Sequence, residues 1–143
     1  MYVVIVGAGK VGAHLARLMA ERGSKVTLIE ANEARCQLLE EEMVTFGVTL
    51  IHGDGDEPSV LDSANLRSAD AVVAATGDDE DNLVVSLLGK SEYKVPLALA
   101  RINNPKNEWL FTDEFGVDMP VSSTTMMVDL LERSLEGDLG AQQ

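Results

Sequence analysis

Short apolar runs alternate along the chain with longer amphipathic segments. The apolar runs are rich in Val, Ile, Leu and Ala and predict strands at residues 2–6, 25–30, 48–51, 70–75 and 96–100, with a sixth, marginal strand at 117–121. The segments between them predict helices, because their apolar positions recur at three- and four-residue spacing. Regular alternation of strand and helix is typical of an α/β fold built on a parallel sheet.

The spacing predicts helices at residues 10–22, 33–44, 79–90 and 123–135. It also predicts a short helix that opens at 57–58 and continues through 60–61, and a further helix that begins at 104–105. In the first helix the apolar stripe consists of Val11, Leu15, Leu18 and Met19. We therefore predict a Rossmann-like, doubly wound sheet of six mostly parallel strands with helices on both faces, in the strand order 3-2-1-4-5-6. Residues 1–135 form this domain, and 136–143 are expected to be a linker or tail.

The first strand ends in a glycine-rich turn. Gly7, Gly9 and Gly12 stand at G-x-G-x-x-G spacing between a buried strand and a helix, where such glycines hold a nucleotide. Gly7 permits the tight turn, Gly9 lets the backbone approach a pyrophosphate, and Gly12 lets the helix pack closely on the strand. The spacing also occurs in turns without a ligand. In this context we expect phosphates at residues 7–12: Gly7, Ala8, Gly9, Lys10, Val11 and Gly12.

Glu30 ends the second strand at the position where a dinucleotide-binding fold carries its acidic residue. Its carboxylate is suited to accept both hydroxyls of an adenosine ribose; the alternative is a surface residue that ends the strand. A carboxylate there would repel a 2′-phosphate, and nothing basic immediately follows it. The pattern predicts NAD(H), ATP, ADP or AMP as ligand, and not NADP.

Other residues at the carboxyl ends of the strands are candidates for the same site. Lys10 either reaches the distal phosphates or is an ordinary lysine of the first helical turn. Asp54, beside Gly55 after the third strand, either contacts the adenine or fixes its own loop as an Asx turn.

The fourth and fifth strands supply the remaining candidates. Ala75, Thr76 and Gly77 are small enough for a close approach to the ligand. Arg101 either meets a phosphate or pairs with a nearby acid. The acidic run 78–81 complements the dipole of the helix that follows it; a divalent cation is the less favoured alternative, so no metal site is predicted.

Composition narrows the class of protein. The chain has 143 residues, the size of one ordinary domain, and 11 basic against 24 acidic side chains give a net charge of −13. This charge disfavours nucleic acid and anionic lipid as partners. A salt-rich host is an alternative reason for the acidity. Cys36 is the single cysteine and no segment is apolar enough to span a bilayer, so we expect a reduced, cytoplasmic setting.

These segments resemble one family, the regulator-of-potassium-conductance domains, also called potassium-transport nucleotide-binding or TrkA N-terminal domains. The resemblance covers nearly the whole chain. The glycine loop is shared with many dehydrogenases, and the segments around 76–82 and 100–105 are more specific. The segments that carry it are Val-Ile-Val-Gly-Ala-Gly-Lys-Val-Gly, Val-Thr-Leu-Ile-Glu, Gly53-Asp54 with Val60-Leu61, residues 74–82, Ala-Arg-Ile-Asn-Asn-Pro and Gly116-Val117-Asp118.

The resemblance implies a domain on the cytosolic face of a potassium channel or transporter, which binds an adenine nucleotide and transmits occupancy to the pore through a dimer-based assembly. It assigns the phosphates to Gly7, Gly9, Lys10 and Gly12, the ribose to Glu30, the adenine side to Asp54, and the far wall to Thr76 and Arg101. Gly55-Asp56 departs from the family pattern of a small residue and a hydroxyl. The family often carries a smaller C-terminal ligand domain, so we expect either a truncated protein or a stand-alone module.

Two other functions compete with this prediction. A small NAD-dependent oxidoreductase would share the cofactor site, but neither histidine is convincingly placed as a proton donor, and Tyr93 and Lys94 are adjacent and not spaced along a helix. A DNA-binding redox regulator would need a basic recognition helix, which the sequence lacks. The sequence therefore predicts a regulatory protein that is not an enzyme.

The final helix is the predicted contact between subunits. Its apolar side consists of Met126, Met127, Leu130, Leu131 and Leu135. This is a large apolar area for a terminal helix to leave in water. We expect it to form a homodimer or larger ring; the alternative is that the helix folds back on its own sheet.

Overall fold

The computed structural model describes residues 1–141 of the chain. Its centre is a six-stranded sheet in the order β3-β2-β1-β4-β5-β6. Every neighbouring pair of strands is parallel. The strands are β1 Tyr2–Val6, β2 Lys25–Glu30, β3 Thr49–His52, β4 Ala71–Ala74, β5 Leu97–Ile102 and β6 Met119–Ser122. The Rossmann-like fold class and the predicted strand order are both confirmed.

Helices connect the strands on both faces of the sheet. They are α1 Lys10–Glu21, α2 Glu33–Phe46, α3 Pro58–Ser63, α4 Asp79–Ser91 and α5 Ser123–Ala141. The predicted fifth helix is instead a 3-10 helix, Pro105–Leu110, because Asn104 and Pro105 open a tight turn that the following short segment does not extend. The final helix continues to Ala141, past its predicted end at Leu135. Residues 142–143 of the predicted tail lie outside the described residues.

The core has two layers because a central parallel strand is buried on both faces. On one face Val4 and Val6 pack with Leu61 of α3 and Val85 of α4. On the other face β1 and β2 pack with α1 and α2; the buried residues there include Val3, Ile5, Val26, Leu28, Ala13, Ala16, Leu39 and Met43. This double burial fixes the strand ends that carry the predicted site.

The inner face of α1 differs from the predicted stripe. Gly12, Ala13 and Ala16 are the buried residues of the helix, whereas the side chain of Val11 is 53% exposed. Small residues face the sheet because the helix crosses it at very short range, and large apolar side chains would hold it off. Leu15 and Met19 of the predicted stripe are partly buried and pack against the core, so the prediction of the buried face is correct for these two residues and wrong for Val11.

Helix α5 follows β6 without an intervening residue and extends away from the sheet. Its large apolar side chains are exposed: Met126, Met127, Val128, Leu130, Leu131 and Leu135 are each between 54% and 64% exposed. The helix therefore does not bury its apolar side against its own sheet. Within residues 1–141, no helix has both the length and the apolar character needed to cross a membrane.

Candidate functional site

The carboxyl ends of β1 to β4 meet at one edge of the sheet and surround a pocket of about 410 Å³. Seven of the predicted site residues line it: Gly7, Gly9, Glu30, Asp54, Gly55, Thr76 and Gly77. The other lining residues are Val6, Ile29, Ala31, Gly53, Asp56, Asp78, Asp81 and Val85. The strand order alone explains this convergence, since the crossover direction reverses beside β1 and opens a crevice there.

Only glycine fits at positions 7 and 12, because a Cβ at either position would collide with neighbouring backbone and because residue 7 has a positive φ. Gly7 has φ +105°, and a Cβ on it would lie 2.8 Å from the backbone of Ala75 and Thr76. A Cβ on Gly12 would lie 1.7 Å from the carbonyl oxygen of Gly7, closer than any two unbonded atoms can stand. These two glycines therefore let β1, α1 and the end of β4 come together.

Gly9 serves a different purpose. It precedes α1 as the N-cap residue in an extended conformation, and a Cβ there would meet no atom within 4 Å. In the described part of the chain no side chain caps α1, and the first turn of this helix contains no acidic residue. The first N–H groups of a helix lack intrahelical partners and lie at the positive end of its dipole. This end of α1 is therefore open to an anion.

Glu30 lies at the mouth of the pocket, with both oxygens bound to backbone amides. Ala8 N donates to Oε1 at 2.7 Å, and Asn32 N donates to Oε2 at 2.9 Å. The carboxylate thus holds the glycine loop from the side of β2. Its position beside the loop is the one predicted for a ribose contact.

Arg35 is a further residue at the glycine loop, and it is not among the residues predicted for the site from the sequence. Its Nε donates to the carbonyl oxygen of Ala8 at 2.8 Å, so Glu30 and Arg35 bind opposite sides of the same residue. Arg35 is half-buried in the first turn of α2, which Asn32 caps by accepting from Arg35 N. The signal in the sequence was an arginine five residues after Glu30, in the first turn of the second helix.

The loop after β4 is held by a buried asparagine. Asn82 is fully buried; its Oδ1 accepts from Thr76 N at 3.0 Å and from Thr76 Oγ1 at 2.6 Å. Its Nδ2 donates to the carbonyl oxygens of Thr76 and Arg101. Asn82 therefore ties the pocket wall at Thr76 to the end of β5.

Asp79, three residues before Asn82, makes a second set of hydrogen bonds between α4 and the segment after β5. Its carboxylate accepts from Asn103 N at 2.6 Å, Asn103 Nδ2 at 3.0 Å, Asn104 N at 2.9 Å and Asn107 Nδ2 at 2.9 Å. Burial raises the pKa of Asp79, but the hydrogen bonds from Asn103, Asn107 and Asn104 outweigh it and leave the pKa below its usual value. The start of α4 is thereby fixed to the segment that leads to β6.

Four aspartates from two separate loops converge across the pocket. Asp54 and Asp56 follow β3, and Asp78 and Asp81 open α4. Burial raises the pKa of Asp81, and the negative charges of Asp78, Asp56 and Asp54 raise it further. With Glu30, these groups make the pocket acidic.

Six predicted site residues are not among those lining the pocket: Ala8, Lys10, Val11, Gly12, Ala75 and Arg101. Ala8, Gly12 and Ala75 lie at or next to the glycine loop and pack behind the surface of the pocket. Lys10 is exposed at the first position of α1. Arg101 lies in β5, and its Nε is buried with no hydrogen-bond partner within residues 1–141. A phosphate contact of Lys10 or Arg101 remains a prediction.

The acidic lining was only partly visible in the sequence. The sequence predicts that residues 78–81 complement the helix dipole, and Asp78 does cap α4 by accepting from Asp81 N at 2.9 Å. Asp81 and Asp56 also face the pocket, and that requires the long-range packing of two loops. Within residues 1–141, no group of three or more His, Cys, Asp or Glu side chains has an arrangement that holds a metal ion.

The residues considered for oxidoreductase chemistry lie outside this pocket. Tyr93 is buried, and its hydroxyl donates to Asp62 Oδ1 at 2.8 Å and to the carbonyl of Pro58. Burial first, and then the hydrogen bond to Asp62, raise the pKa of Tyr93 to about 12. His52 Nε2 lies 3.0 Å from the carbonyl oxygen of Ala31, and His14 is exposed on α1. Tyr93 therefore has a structural role here.

Comparison with known sequences gives a consistent result. The family model described as the TrkA-N domain matches residues 3–123. A Trk system potassium uptake protein TrkA from Mycobacterium tuberculosis is 43% identical over 143 residues, which cover 97% of this chain and 62% of that protein. A TrkA homolog from Methanothermobacter thermautotrophicus is 40% identical over 133 residues, covering 93% and 59%. The chain thus spans less than two thirds of the length of these relatives.

Solved structures share the fold. The TrkA-N domain of the inner membrane protein ybaL from Escherichia coli superposes with a TM-score of 0.82 at 18% identity, covering 94% of this chain and 96% of that one. The GsuK channel bound to NAD gives 0.72 at 21% identity, covering 84% and 21%. The Kef C-terminal domain from Shewanella denitrificans in its AMP-bound form gives 0.75 at 19%, covering 98% and 82%.

Proposed function

The chain belongs to the TrkA-N domain family, and from that premise we propose that it is the nucleotide-sensing domain of a potassium uptake regulator. It binds an adenine nucleotide, NAD(H), ATP, ADP or AMP, in the pocket at the carboxyl ends of β1 to β4. Occupancy of the pocket changes the domain's assembly and thereby gates transport through a membrane partner. The domain acts on the cytoplasmic side, attached to the membrane only through that partner.

One observation carries the proposal: the glycine loop leads into a helix N-terminus that no side chain within residues 1–141 caps. Gly9 leaves open space beside the uncapped end of α1. Unpartnered N–H groups and the helix dipole together favour an anion at such an end. A phosphate group of a nucleotide meets this requirement, and the carboxylate of Glu30 at the mouth of the pocket is suited to ribose hydroxyls.

The same carboxylate supports discrimination against NADP. A 2′-phosphate would meet the negative charge of Glu30. Arg35, which binds the same residue of the glycine loop as Glu30, already donates its Nε to the carbonyl oxygen of Ala8. The NAD of the GsuK channel structure and the AMP of the Kef structure lie in proteins with the same fold, which supports an adenine nucleotide in general.

A hydrogen-bonded route for transmitting occupancy begins at Thr76 in the pocket wall. Asn82 connects Thr76 to β5, and Asp79 connects the start of α4 to Asn103, Asn104 and Asn107. The segment 103–110 leads to β6 and α5. A ligand that displaces the loop after β4 would therefore act on the element we propose as the subunit contact.

The exposed apolar side of α5 supports a homodimer or larger ring. Met126, Leu130 and Leu131 are each more than half exposed, so the alternative of a helix folded back on its own sheet is not what the structure contains. Covering one such side chain is worth roughly 1.5–3 kcal/mol. A contact repeated across a two-fold axis would use each of them twice and could hold two acidic chains together.

Calorimetry with NAD⁺, ATP, ADP, AMP and NADP tests the ligand proposal. We expect one of the first four to bind most tightly. Glu30→Ala should weaken it by roughly 10- to 100-fold, the loss expected for a charge-assisted pair of hydrogen bonds. Glu41→Ala, an exposed acid on α2, is the matched control and should leave binding unchanged. Tightest binding of NADP, or no effect of Glu30→Ala, would refute the assignment.

Light scattering tests the assembly. We expect the wild type to be dimeric or larger at micromolar concentration and Leu131→Asp to be a folded monomer, because a buried carboxylate would face its own copy across the contact. Glu132→Asp, at the next position of α5, keeps the charge and should not change the mass. A monomeric wild type would rule the contact out.

A further inference from the structure

Resting on the proposed nucleotide site, we infer that Asn103 is the residue that transmits occupancy of the pocket to the segment leading to β6 and α5. Asn103 follows β5 directly and is not one of the described residues that line the pocket. Its side-chain amide joins the backbone of the pocket wall, at Thr76, to the carboxylate of Asp79 at the start of α4. Asn103 is therefore a positioning residue, since it acts on the pocket through Thr76.

Thr76 lines the pocket, and its backbone is held by two asparagines. Its carbonyl oxygen accepts from Asn82 Nδ2 at 3.1 Å and from Asn103 Nδ2 at 3.0 Å. The next residue, Gly77, also lines the pocket, and a Cβ on it would meet no atom within 4 Å, so the peptide between them has room to turn. A ligand that contacts this part of the wall would therefore move the carbonyl oxygen that both asparagines bind.

The amide of Asn103 uses both of its hydrogens. Nδ2 donates to the carbonyl oxygen of Thr76 and to Asp79 Oδ1, each at 3.0 Å. Both neighbours are acceptors, so only the NH₂ group of the amide, and not its oxygen, can face them. The main-chain N–H of Asn103 also donates to Asp79 Oδ1, at 2.6 Å. A shift of the Thr76 carbonyl therefore acts on a residue whose backbone is bound to α4.

The segment after β5 is fixed to α4 at two points. Near its start, Asn104 N and Asn107 Nδ2 each donate to Asp79 Oδ2 at 2.9 Å. Near its end, Gly116 packs so closely on α4 that a Cβ would lie 2.7 Å from the carbonyl oxygen of Ser86. The segment and α4 therefore form one packed unit, and β6 and α5 follow it directly in the chain. Coupling between distant sites requires such a contiguous network of contacts.

Asn82 binds the same carbonyl but has a different role. It is fully buried near the start of α4, and three of its hydrogen bonds return to Thr76, six residues earlier in the chain. Asn82 therefore sets the shape of the loop. Asn103 is half-buried and lies 27 residues from Thr76. Removing its side chain would break the long-range connection and leave the loop with its own support.

The test is hydrogen–deuterium exchange, measured by mass spectrometry on the full chain alone and saturated with NAD⁺, ATP, ADP or AMP. The amides of residues 103–110 should exchange by local opening, because a short 3-10 helix lies at the low end of local stability. In the wild type we expect a bound nucleotide to slow their exchange by about fivefold or more, at the lower end of couplings between sites.

Asn103→Ala should uncouple this response without abolishing binding. Because Asn103 lies outside the pocket lining, the variant should bind the nucleotide within about threefold of the wild-type affinity. The bound nucleotide should then change exchange in residues 103–110 by less than about twofold. Asn103→Ser, whose hydroxyl is too short to span the two acceptors, is the second variant if Asn103→Ala does not fold.

Asn107→Ala is the matched control. It removes an amide from the same segment that donates to the same Asp79 carboxylate and not to Thr76. The control should keep the wild-type response to nucleotide. If Asn103 only stabilised its own segment, the two alanine variants would respond alike.

Exchange in residues 103–110 of the wild type that does not respond to a bound nucleotide would overturn the inference and leave the nucleotide site intact. A response kept by Asn103→Ala, or lost equally in Asn107→Ala, would overturn it as well. Failure of all four nucleotides to bind, measured by calorimetry, would refute the proposed nucleotide site and the inference with it. Circular dichroism of each variant confirms that it is folded before its exchange is compared.

Discussion

Two helices, α1 and α4, begin at the same edge of the sheet and point their N-terminal ends toward one pocket. At α1 the N-cap is Gly9, no side chain among residues 1–141 accepts a hydrogen bond from the first turn, and that turn contains no acidic residue. At α4 the cap is Asp78, its carboxylate accepts from Asp81 N, and three more acids occupy the first turn. The same backbone feature is left open in one case and closed in the other.

The helix end at α1 is available to bind a ligand, whereas the helix end at α4 stabilises the fold. An uncapped helix end costs stability, typically about 1 kcal/mol relative to a good cap, and this cost is tolerated where a ligand completes the end. The capped end of α4 contributes stability on its own, and through Asp79 it also anchors the segment 103–107. Substitutions at the two ends should therefore affect different measurements.

The largest expected effect comes from Gly12→Ala in α1. The added Cβ would collide with the carbonyl oxygen of Gly7 at 1.7 Å, so α1 must shift away from the sheet. We expect a loss of about 3 kcal/mol in the free energy of unfolding, measured by urea denaturation. Gly137→Ala is the matched control, because it is also a helical glycine, in α5, and has no atom within 4 Å. That control should keep or slightly raise stability; equal losses in both variants would contradict the packing argument.

A smaller loss is expected from Asp79→Ala in α4, which leaves the amides of Asn103 and Asn104 without their acceptor. We expect about 2 kcal/mol at neutral pH. Because the folded-state pKa of Asp79 lies below its ordinary value of 3.8, the ionised form stabilises the fold above that pH. This contribution is lost as the pH falls below 3.8 and through the lowered folded-state pKa.

Urea denaturation at several pH values measures this, with Glu80→Ala as the control from the same helical turn. Glu80 is exposed, and its replacement should cost no more than about 0.5 kcal/mol at any pH. A difference between wild type and Asp79→Ala that does not shrink at acidic pH would show that the carboxylate is not the stabilising group.

The smallest change in stability, and the sharpest test of the comparison, is Gly9→Asp. It gives α1 the kind of cap that α4 has, in a position where a side chain meets open space. We expect stability to rise by a few tenths of a kcal/mol and nucleotide affinity to fall by more than about tenfold. Gly9→Ala leaves the helix end uncapped and uncharged and should keep more of the affinity. Full retention of binding by Gly9→Asp would show that α1 does not hold the phosphate.

The backbone of the site was predictable because its signals are local. The spacing of Gly7, Gly9 and Gly12 after an apolar run indicated the turn, and Glu30 followed at the distance that one helix and one strand require. The strand order followed from the position of the glycine loop in the first strand. These features depend on residues close together in the chain.

The electrostatic character of the pocket was less predictable, because it depends on loops that are distant in sequence. Asp56 and Asp81 come together only when β3 and β4 take their places on opposite sides of β1. Arg35 binds Ala8 only because α2 returns over the glycine loop. The periodicity correctly predicted that Leu15 and Met19 of α1 pack on the core. It did not predict the fully buried Gly12, Ala13 and Ala16, because hydrophobic periodicity gives weight to large side chains, whereas the closest contact with the sheet selects the smallest.

Because α5 follows β6 directly, a small tilt of β6 moves the far end of α5 by a larger distance. Its 19 residues extend roughly 28 Å at 1.5 Å per residue, and no flexible residue separates it from the edge strand. A tilt of the strand by about 5° would therefore move the far end of the helix by roughly 2 Å, on the geometry of a rigid rod of that length. A tilt of β6 that is too small to disturb the sheet at Ser122 would therefore shift the exposed apolar side chains of α5 relative to the surface that they contact.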